Sequence, residues 1–159
     1  MSLLIRLMQK KDLLPLAKIY VRVYDNFNVG EKWNENAAQQ FLFYCFQRQP
    51  DLSLVAVADK RVVGAFFADV KPWCDGNHLV DGELFVDPEY QRQGIGTALQ
   101  IVMYKKAIKK YNAKVAEGIT FRDKPFPLSW YKHLGFKEVK NRVIIQGNLS
   151  KALNLLKKK

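Results

Sequence analysis

Phe85-Val86-Asp87-Pro88-Glu89-Tyr90-Gln91-Arg92-Gln93-Gly94-Ile95-Gly96-Thr97-Ala98-Leu99 joins the end of a strand to the start of a helix across a polar turn with two glycines. The first turn of a helix carries N–H groups without intrahelical partners, at the positive end of the helix dipole. A turn that feeds such a helix adds further N–H groups on the same side, so the stretch predicts an anion site. Glycine tolerates unusual dihedrals and lets a phosphate come close to the backbone. Two phosphate motifs do not fit. The dinucleotide fingerprint G-x-G-x-x-G needs a glycine where Leu99 stands, and the Walker loop needs a lysine before its Ser/Thr, where Gly96 precedes Thr97. What remains is Val86-x-Pro88 followed by Gln91-Arg92-Gln93-Gly94-Ile95-Gly96.

A second element lies downstream, Trp130-Tyr131-Lys132-His133-Leu134-Gly135-Phe136, with a helix and a strand between the two. With both motifs at this spacing, and the same order of elements over nearly the whole chain, the sequence resembles the GNAT superfamily of acetyl-CoA-dependent N-acetyltransferases. The resemblance implies one N-acetyltransferase domain over residues 1–159, with acetyl-CoA as cosubstrate and the amine of a small molecule or peptide as acceptor. It implies that Gln91, Arg92, Gln93, Gly94, Ile95, Gly96 and Thr97 cradle the CoA pyrophosphate, Arg92 adding charge. It also implies that the backbone of Leu84, Phe85 and Val86 pairs with the pantetheine arm as a further strand would. The family usually carries an Asn about seven residues before the tyrosine of the second motif. Lys124 stands there in this chain, inside a Lys-Pro-Phe-Pro run, so the usual side-chain contact to pantetheine is not expected.

Acetyl transfer needs a neutral amine, whereas a lysine-like amine titrates near ~10.4 and is charged at neutral pH. A proton acceptor is therefore required, with donors for the carbonyl oxygen and for the departing thiolate. Strand alternation places Asp81, Glu83 and Phe85 on one face and Leu84 and Val86 on the other. Glu83 is the candidate base, since a glutamate on this strand often serves so in the family, commonly through water. Tyr131, matched to the family's tyrosine, is the candidate acid, because a phenol near ~10 stays protonated. A backbone N–H near Phe85 is the candidate oxyanion donor, with a bulge expected there as the fourth and fifth strands splay apart. Tyr24, Phe27, Trp33, Trp73 and Asp81 are candidates for the acceptor side. Transfer is expected to be direct, in a ternary complex, with no acyl-enzyme on Cys74.

Apolar periodicity supplies the remaining elements. A first strand is expected over Leu3–Met8, then a helix capped by Asp12 with Leu16, Ile19, Tyr20 and Val23 inward. A loop over Asp25–Asn34 leads to a helix with Ala38, Phe41, Leu42 and Cys45 on one face. Leu52–Ala58 and Arg61–Val70 predict a hairpin turned at Asp59-Lys60. A loop over Lys71–Asn77 precedes a fourth strand, His78–Val86. Gly94 opens a helix with Ile95, Ala98, Leu99, Val102 and Met103 as its stripe. Ala113–Phe121 predicts a fifth strand parallel to the fourth. Leu128–Leu134 predicts a short helix stopped by Gly135, Phe136–Val139 and Val143–Leu149 a last hairpin, and Ser150 a cap for a terminal helix. The fold class is α/β: a mixed, mostly antiparallel central sheet with a parallel pair of strands four and five.

The 159 residues are 48% hydrophobic, which suits one globular domain with a core. The formal net charge of +11 attracts anions and favours an acidic peptide or metabolite over a polycationic acceptor. The chain's two cysteines have no metal-ligand companion spacing, so no metal site is expected. No long apolar span or signal peptide is evident, so a cytoplasmic protein without membrane contact is expected. A homodimer joined through the terminal strand or helix is compatible with the sequence. Two other function classes remain: a CoA-binding sensor without turnover, and a basic nucleic-acid-binding domain. The second is disfavoured because the cations are scattered, apart from Lys105–Lys110 and the Lys157–Lys159 tail, and nucleic-acid recognition motifs are missing.

Overall fold

Tight turns and helix stops punctuate the chain in the computed structural model, which describes Ser2–Lys157. Lys158 and Lys159 of the expected tail lie outside the described residues. Residues up to Ile119 form one compact unit and those from Thr120 a second. In the first unit, β1 (Leu3–Leu7), β2 (Ser53–Ala58), β3 (Arg61–Trp73), β4 (Gly76–Val86) and β5 (Ala113–Ala116) form a sheet in the order β1-β2-β3-β4-β5. The first four strands are antiparallel and β5 runs parallel to β4, the mixed sheet the sequence predicts. Helices α1 (Leu13–Phe27) and α2 (Glu35–Arg48) lie between β1 and β2 in the chain, and α3 (Ile95–Tyr111) links β4 to β5.

Alternate strand residues feed two cores. Val55, Ala65, Phe67 and Phe85 pack with Leu16, Ile19, Tyr20, Ala38, Leu42 and Cys45 of α1 and α2. Leu54, Ala56, Val63, Phe66 and Val86 pack with Ile95, Leu99, Met103 and Ala107 of α3. The sheet is thus buried on both faces, and each helix meets it along the stripe that its apolar spacing forecasts.

Several boundaries differ from the sequence expectation. Asp12 stands where a cap would, but its carboxylate turns away from α1: it accepts from the Gln9 N–H at 2.8 Å and from the Arg6 guanidinium at 2.7 and 2.8 Å. The α1 helix continues through Phe27 and ends on Asn28 in the left-handed region (φ 48°). The loop expected over Lys71–Asn77 is instead a two-residue turn, with Trp73 paired to Gly76. Pro72 is tolerated because β2 pairs with β3 only as far as Phe67, so beyond it that flank of β3 carries no β2 partner for a missing N–H to disrupt. The β5 strand stops at Ala116, five residues short of Phe121.

In the second unit, α4 (Pro125–His133) contains one extended residue, Phe126, held out of the helical region by the proline that follows it. Gly135 (φ +87°) ends the helix as predicted. The hairpin expected over Phe136–Val139 and Val143–Leu149 does not form: neither stretch is assigned to a strand. Val143, Ile144 and Ile145 are exposed, so the second stretch buries no apolar face that would hold such a ribbon. Helix α5 (Leu149–Leu156) is capped by Asn148 rather than Ser150, its side-chain oxygen accepting from the Lys151 N–H at 3.0 Å.

Candidate active site

The end of β4 builds the site. Phe67 stands opposite Glu83 and Asp69 opposite Val80, so Ala68 faces both Asp81 and Gly82. This is a β-bulge, with Asp81 at φ 52°. The bulge expected near Phe85 therefore sits upstream, and it resets the alternation: Leu79 and Leu84 both reach the α3 core although they are an odd number of residues apart. Beyond it, Glu83 and Phe85 face α1 and α2, while Leu84 and Val86 face α3.

Within the first unit, strand pairing covers only part of the β5-side edge of β4. Pairing with β5 covers Asn77 to Leu79 and closes with the Glu117 N–H on the Leu79 carbonyl at 2.8 Å. The Asp87 N–H donates to the Val63 carbonyl at 2.8 Å, which turns the alternate residue Phe85 towards β3 as well. Leu84 and Val86 consequently turn their N–H and C=O groups away from β3, so they, not Phe85 itself, are the backbone donors beside it. A Cβ on Gly64 would stand 2.7 Å from the Phe85 carbonyl oxygen, so glycine is what lets β3 close against this segment.

Asp87, buried, starts a single 3-10 turn over Pro88–Tyr90 and accepts from the Glu89 N–H at 3.3 Å and from Arg22 of α1. The Gln91 amide returns to the Val86 carbonyl at 3.0 Å, bracing the turn against the strand it leaves. Arg92 and Gly94 both have positive φ, 59° and 79°, and α3 begins at Ile95. Its first intrahelical bond, Ala98 N–H to Gly94 carbonyl, leaves the N–H groups of Ile95, Gly96 and Thr97 directed out of the helix end. A Cβ on Gly96 would meet only the Val86 side chain, at 4.0 Å, so the fold itself does not require glycine there. Close approach of an anion does, and these residues fit a pyrophosphate.

Glu83 lies among rings. Tyr20 packs on Tyr24 (centroids 4.6 Å), Trp33 (5.2 Å), Phe41 (5.7 Å) and Phe85 (5.1 Å). The Tyr24 hydroxyl donates to Glu83 Oε1 at 3.3 Å. Burial pushes the Glu83 carboxyl from 4.5 up to about 7; the Tyr24 and Tyr20 hydroxyls oppose the rise and Glu31 adds to it. Tyr20 was legible only as a core residue, and its hydroxyl's role near Glu83 had no sequence signal.

The remaining candidates are distributed unevenly. Trp33 joins the ring cluster and donates its indole N–H to Glu31 at 2.8 Å. Phe27 is half-buried at the end of α1. Asp81, exposed, takes Arg48 Nη1 at 3.8 Å, while Arg48 Nε approaches Asp69 at 2.8 Å. Asp69 and Asp81 thus share the Arg48 guanidinium, while Glu31 acts on Glu83. Trp73 stands six residues along β3 from Phe67, roughly 20 Å away by strand rise, packed under Lys71 Nζ (4.8 Å) and away from this cluster. Tyr131, in the second unit, packs between Trp130 (5.4 Å) and Phe136 (5.3 Å). Lys124 occupies the residue before α4 in extended conformation. Among the described residues, no helix is long and apolar enough to cross a membrane, and no three His, Cys, Asp or Glu side chains gather as a metal site.

Residues 49–138 match the acetyltransferase (GNAT) domain family. An uncharacterized N-acetyltransferase of Methanocaldococcus jannaschii is 29% identical over an alignment of 146 residues that covers 84% of this chain; the chain spans about 60% of that relative's length. The fold matches a possible acetyltransferase of Clostridium difficile 630 (TM-score 0.77, 17% identity, 94% of this chain and 99% of that one). It also matches the PaiA N-acetyltransferase of Thermoplasma acidophilum in complex with coenzyme A (TM-score 0.68, 23% identity, 86% and 91%).

Proposed function

The chain belongs to the GNAT acetyltransferase family, and from that premise we propose that residues 1–159 act as one domain that moves an acetyl group from acetyl-CoA to a primary amine of a small molecule or peptide, by direct attack in a ternary complex. Bound acetyl-CoA supplies an activated thioester carbonyl. Gln91 to Thr97 hold its pyrophosphate, with Arg92 adding charge, and the outward backbone groups of Leu84 and Val86, flanking Phe85, take its pantetheine arm and offer an N–H to the carbonyl oxygen. Glu83 takes the proton of the incoming amine, directly or through one water. Tyr131 gives a proton to the departing thiolate. Tyr24, Phe27, Trp33 and Asp81 line the acceptor's approach, and Trp73 meets only a long acceptor such as a peptide.

The observation that carries this reading is Glu83: a carboxyl held at about 7 on the strand that feeds the anion cradle. A base whose pKa lies near the working pH combines a useful ionised fraction with enough basicity to accept a proton. The carboxylates around it suit a cationic amine better than whole-chain charge suggests.

Calorimetric titration with acetyl-CoA, with NAD as control, tests the cradle, and an amine panel tests turnover. Saturable acetyl-CoA binding, with acetylation that Glu83→Gln slows by at least about a hundredfold, is the expected result. Tight CoA binding with no turnover of any amine would make the protein a sensor. Steeply salt-dependent duplex binding without CoA binding would make it a nucleic-acid-binding domain. A stoichiometric acetyl adduct on Cys74 by intact mass would overturn direct transfer.

A further inference from the structure

The two groups that counter Glu83's burial come from one helix. Tyr20 and Tyr24 are four residues apart, so they stack on the same inward face of α1, rings tilted by 33°. Tyr24 is the nearer, at 3.3 Å from Oε1. Tyr20 is fully buried with its ring 4.6 Å from that of Tyr24, and its hydroxyl opposes the rise at Glu83 in the same direction as Tyr24's. Burial, first of all, pushes both phenols well above their ordinary range, so each remains a donor at any working pH.

We infer that Tyr24, backed by Tyr20, is the positioning residue of Glu83: the phenol hydroxyl aims one carboxylate oxygen and stabilises the ionised form against the rings that enclose it. The inference rests on Glu83 being the base. It assigns Tyr24 a task besides lining the acceptor's approach, and gives Tyr20 a task beyond packing.

Among the described residues, the side chains that act on Glu83 are Tyr24, Tyr20 and Glu31, none of them a cation. From the α1–α2 connection Glu31 acts on Glu83 and, being acidic, favours its protonated form. From α2, Cys45 is a buried thiol pushed up to about 11, and Arg48 engages Asp69 of β3 and Asp81 of β4. The hydroxyls are thus the groups that keep the carboxylate usable.

Carbon-13 titration of the Glu83 carboxyl reads the inference without any turnover. Tyr24→Phe keeps the ring and removes the donor, and a hydrogen bond to a charged group of this kind is equivalent to about one pH unit. The Glu83 midpoint should therefore move up by about one pH unit, and Tyr20→Phe should move it the same way by less. The acidic limb of kcat should follow, with kcat in Tyr24→Phe falling about tenfold more at pH 6 than at pH 9. An unmoved midpoint would reduce Tyr24 to packing. Should Tyr24→Phe not fold, the wild-type Tyr24 Cζ resonance carries the same test: it tracks the Glu83 midpoint if the hydroxyl donates and stays flat through it if not. If Glu83→Gln kept full activity while the midpoint still responded to Tyr24→Phe, the base assignment would fall and the hydrogen bond would stand.

Discussion

Asp12 and Glu83 are both drawn out of water, and the fold treats them in opposite ways. Asp12 receives a guanidinium in two-point contact and a backbone N–H, and although burial works against its charge, Arg6 and Gln9 hold the carboxyl below the usual range. Glu83 receives phenol hydroxyls in place of a guanidinium, so burial prevails and its carboxyl rises to about 7. The first arrangement ties β1 to the start of α1. The second keeps a carboxyl in a state that serves structure poorly and suits proton transfer at neutral pH. The lesson is one of partner choice: a buried acid paired with arginine is a fastening, and one paired with tyrosine is a candidate reagent.

The largest effect should come from removing the reagent. Glu83→Gln is expected to lower kcat by about 10²- to 10⁴-fold, the usual range for a general base. The same change should stabilise the fold at alkaline pH. Glu83's folded pKa is raised, so wild type loses stability as pH climbs from about 4.5 to about 7 and is level beyond; the loss is roughly 3 kcal/mol. Urea unfolding at pH 5 and pH 8 reads both arms: a glutamine variant that gains nothing at pH 8 breaks the contrast.

Asp12→Ala should do the reverse, costing about 3 kcal/mol by stranding Arg6 beside a partly buried gap while leaving turnover per folded molecule unchanged. Its folded pKa is depressed, so the contribution is present above the ordinary carboxylate range and disappears as pH falls through the folded value. Denaturation midpoints that do not respond to acid in wild type, or respond equally in Asp12→Ala, would remove Asp12 from the role of fastening.

Gly94→Ala places a methyl-bearing residue at φ +79°, at a cost of about 1–2 kcal/mol, with no steric neighbour within 4 Å to add to it. Acetyl-CoA affinity should fall by about tenfold while the Glu83 titration stays in place; a shift of that midpoint would show the cradle and the ring cluster to be coupled. The smallest effect concerns His78. It sits between Glu117, its stronger partner, and Asp75, and its pKa is raised. The contact contributes fully below about 6.5 and is lost as pH rises through the folded value, so exchange of the Glu117 amide on Leu79 should quicken there. A rate following only the intrinsic pH dependence would exclude that link.

The two motifs made the helix start, the turn before it and the family legible, because phosphate recognition by backbone demands glycine at fixed places. Apolar spacing gave α1, α2 and the β2–β3 hairpin for similar reasons. Three things were hidden. The bulge at Asp81-Gly82 carries no pattern of its own, since one extra residue looks like continuing alternation. Just past the end of β5, Glu117 meets His78, a partner 39 residues away that leaves no local signal. Tyr20 reads as core in any periodicity, and only folding reveals where its hydroxyl ends.

That bulge also bears on which chains can add to the sheet. An exposed strand margin is a template on which other chains add. Here the margin of β4 beyond β5 is interrupted by a charged residue in left-handed conformation, and at its far end the Val86 carbonyl already holds the Gln91 amide. An irregularity of this kind breaks the regular edge on which a foreign strand would add, and Gly82→Val with Asp81→Val should make the purified protein measurably more prone to aggregate.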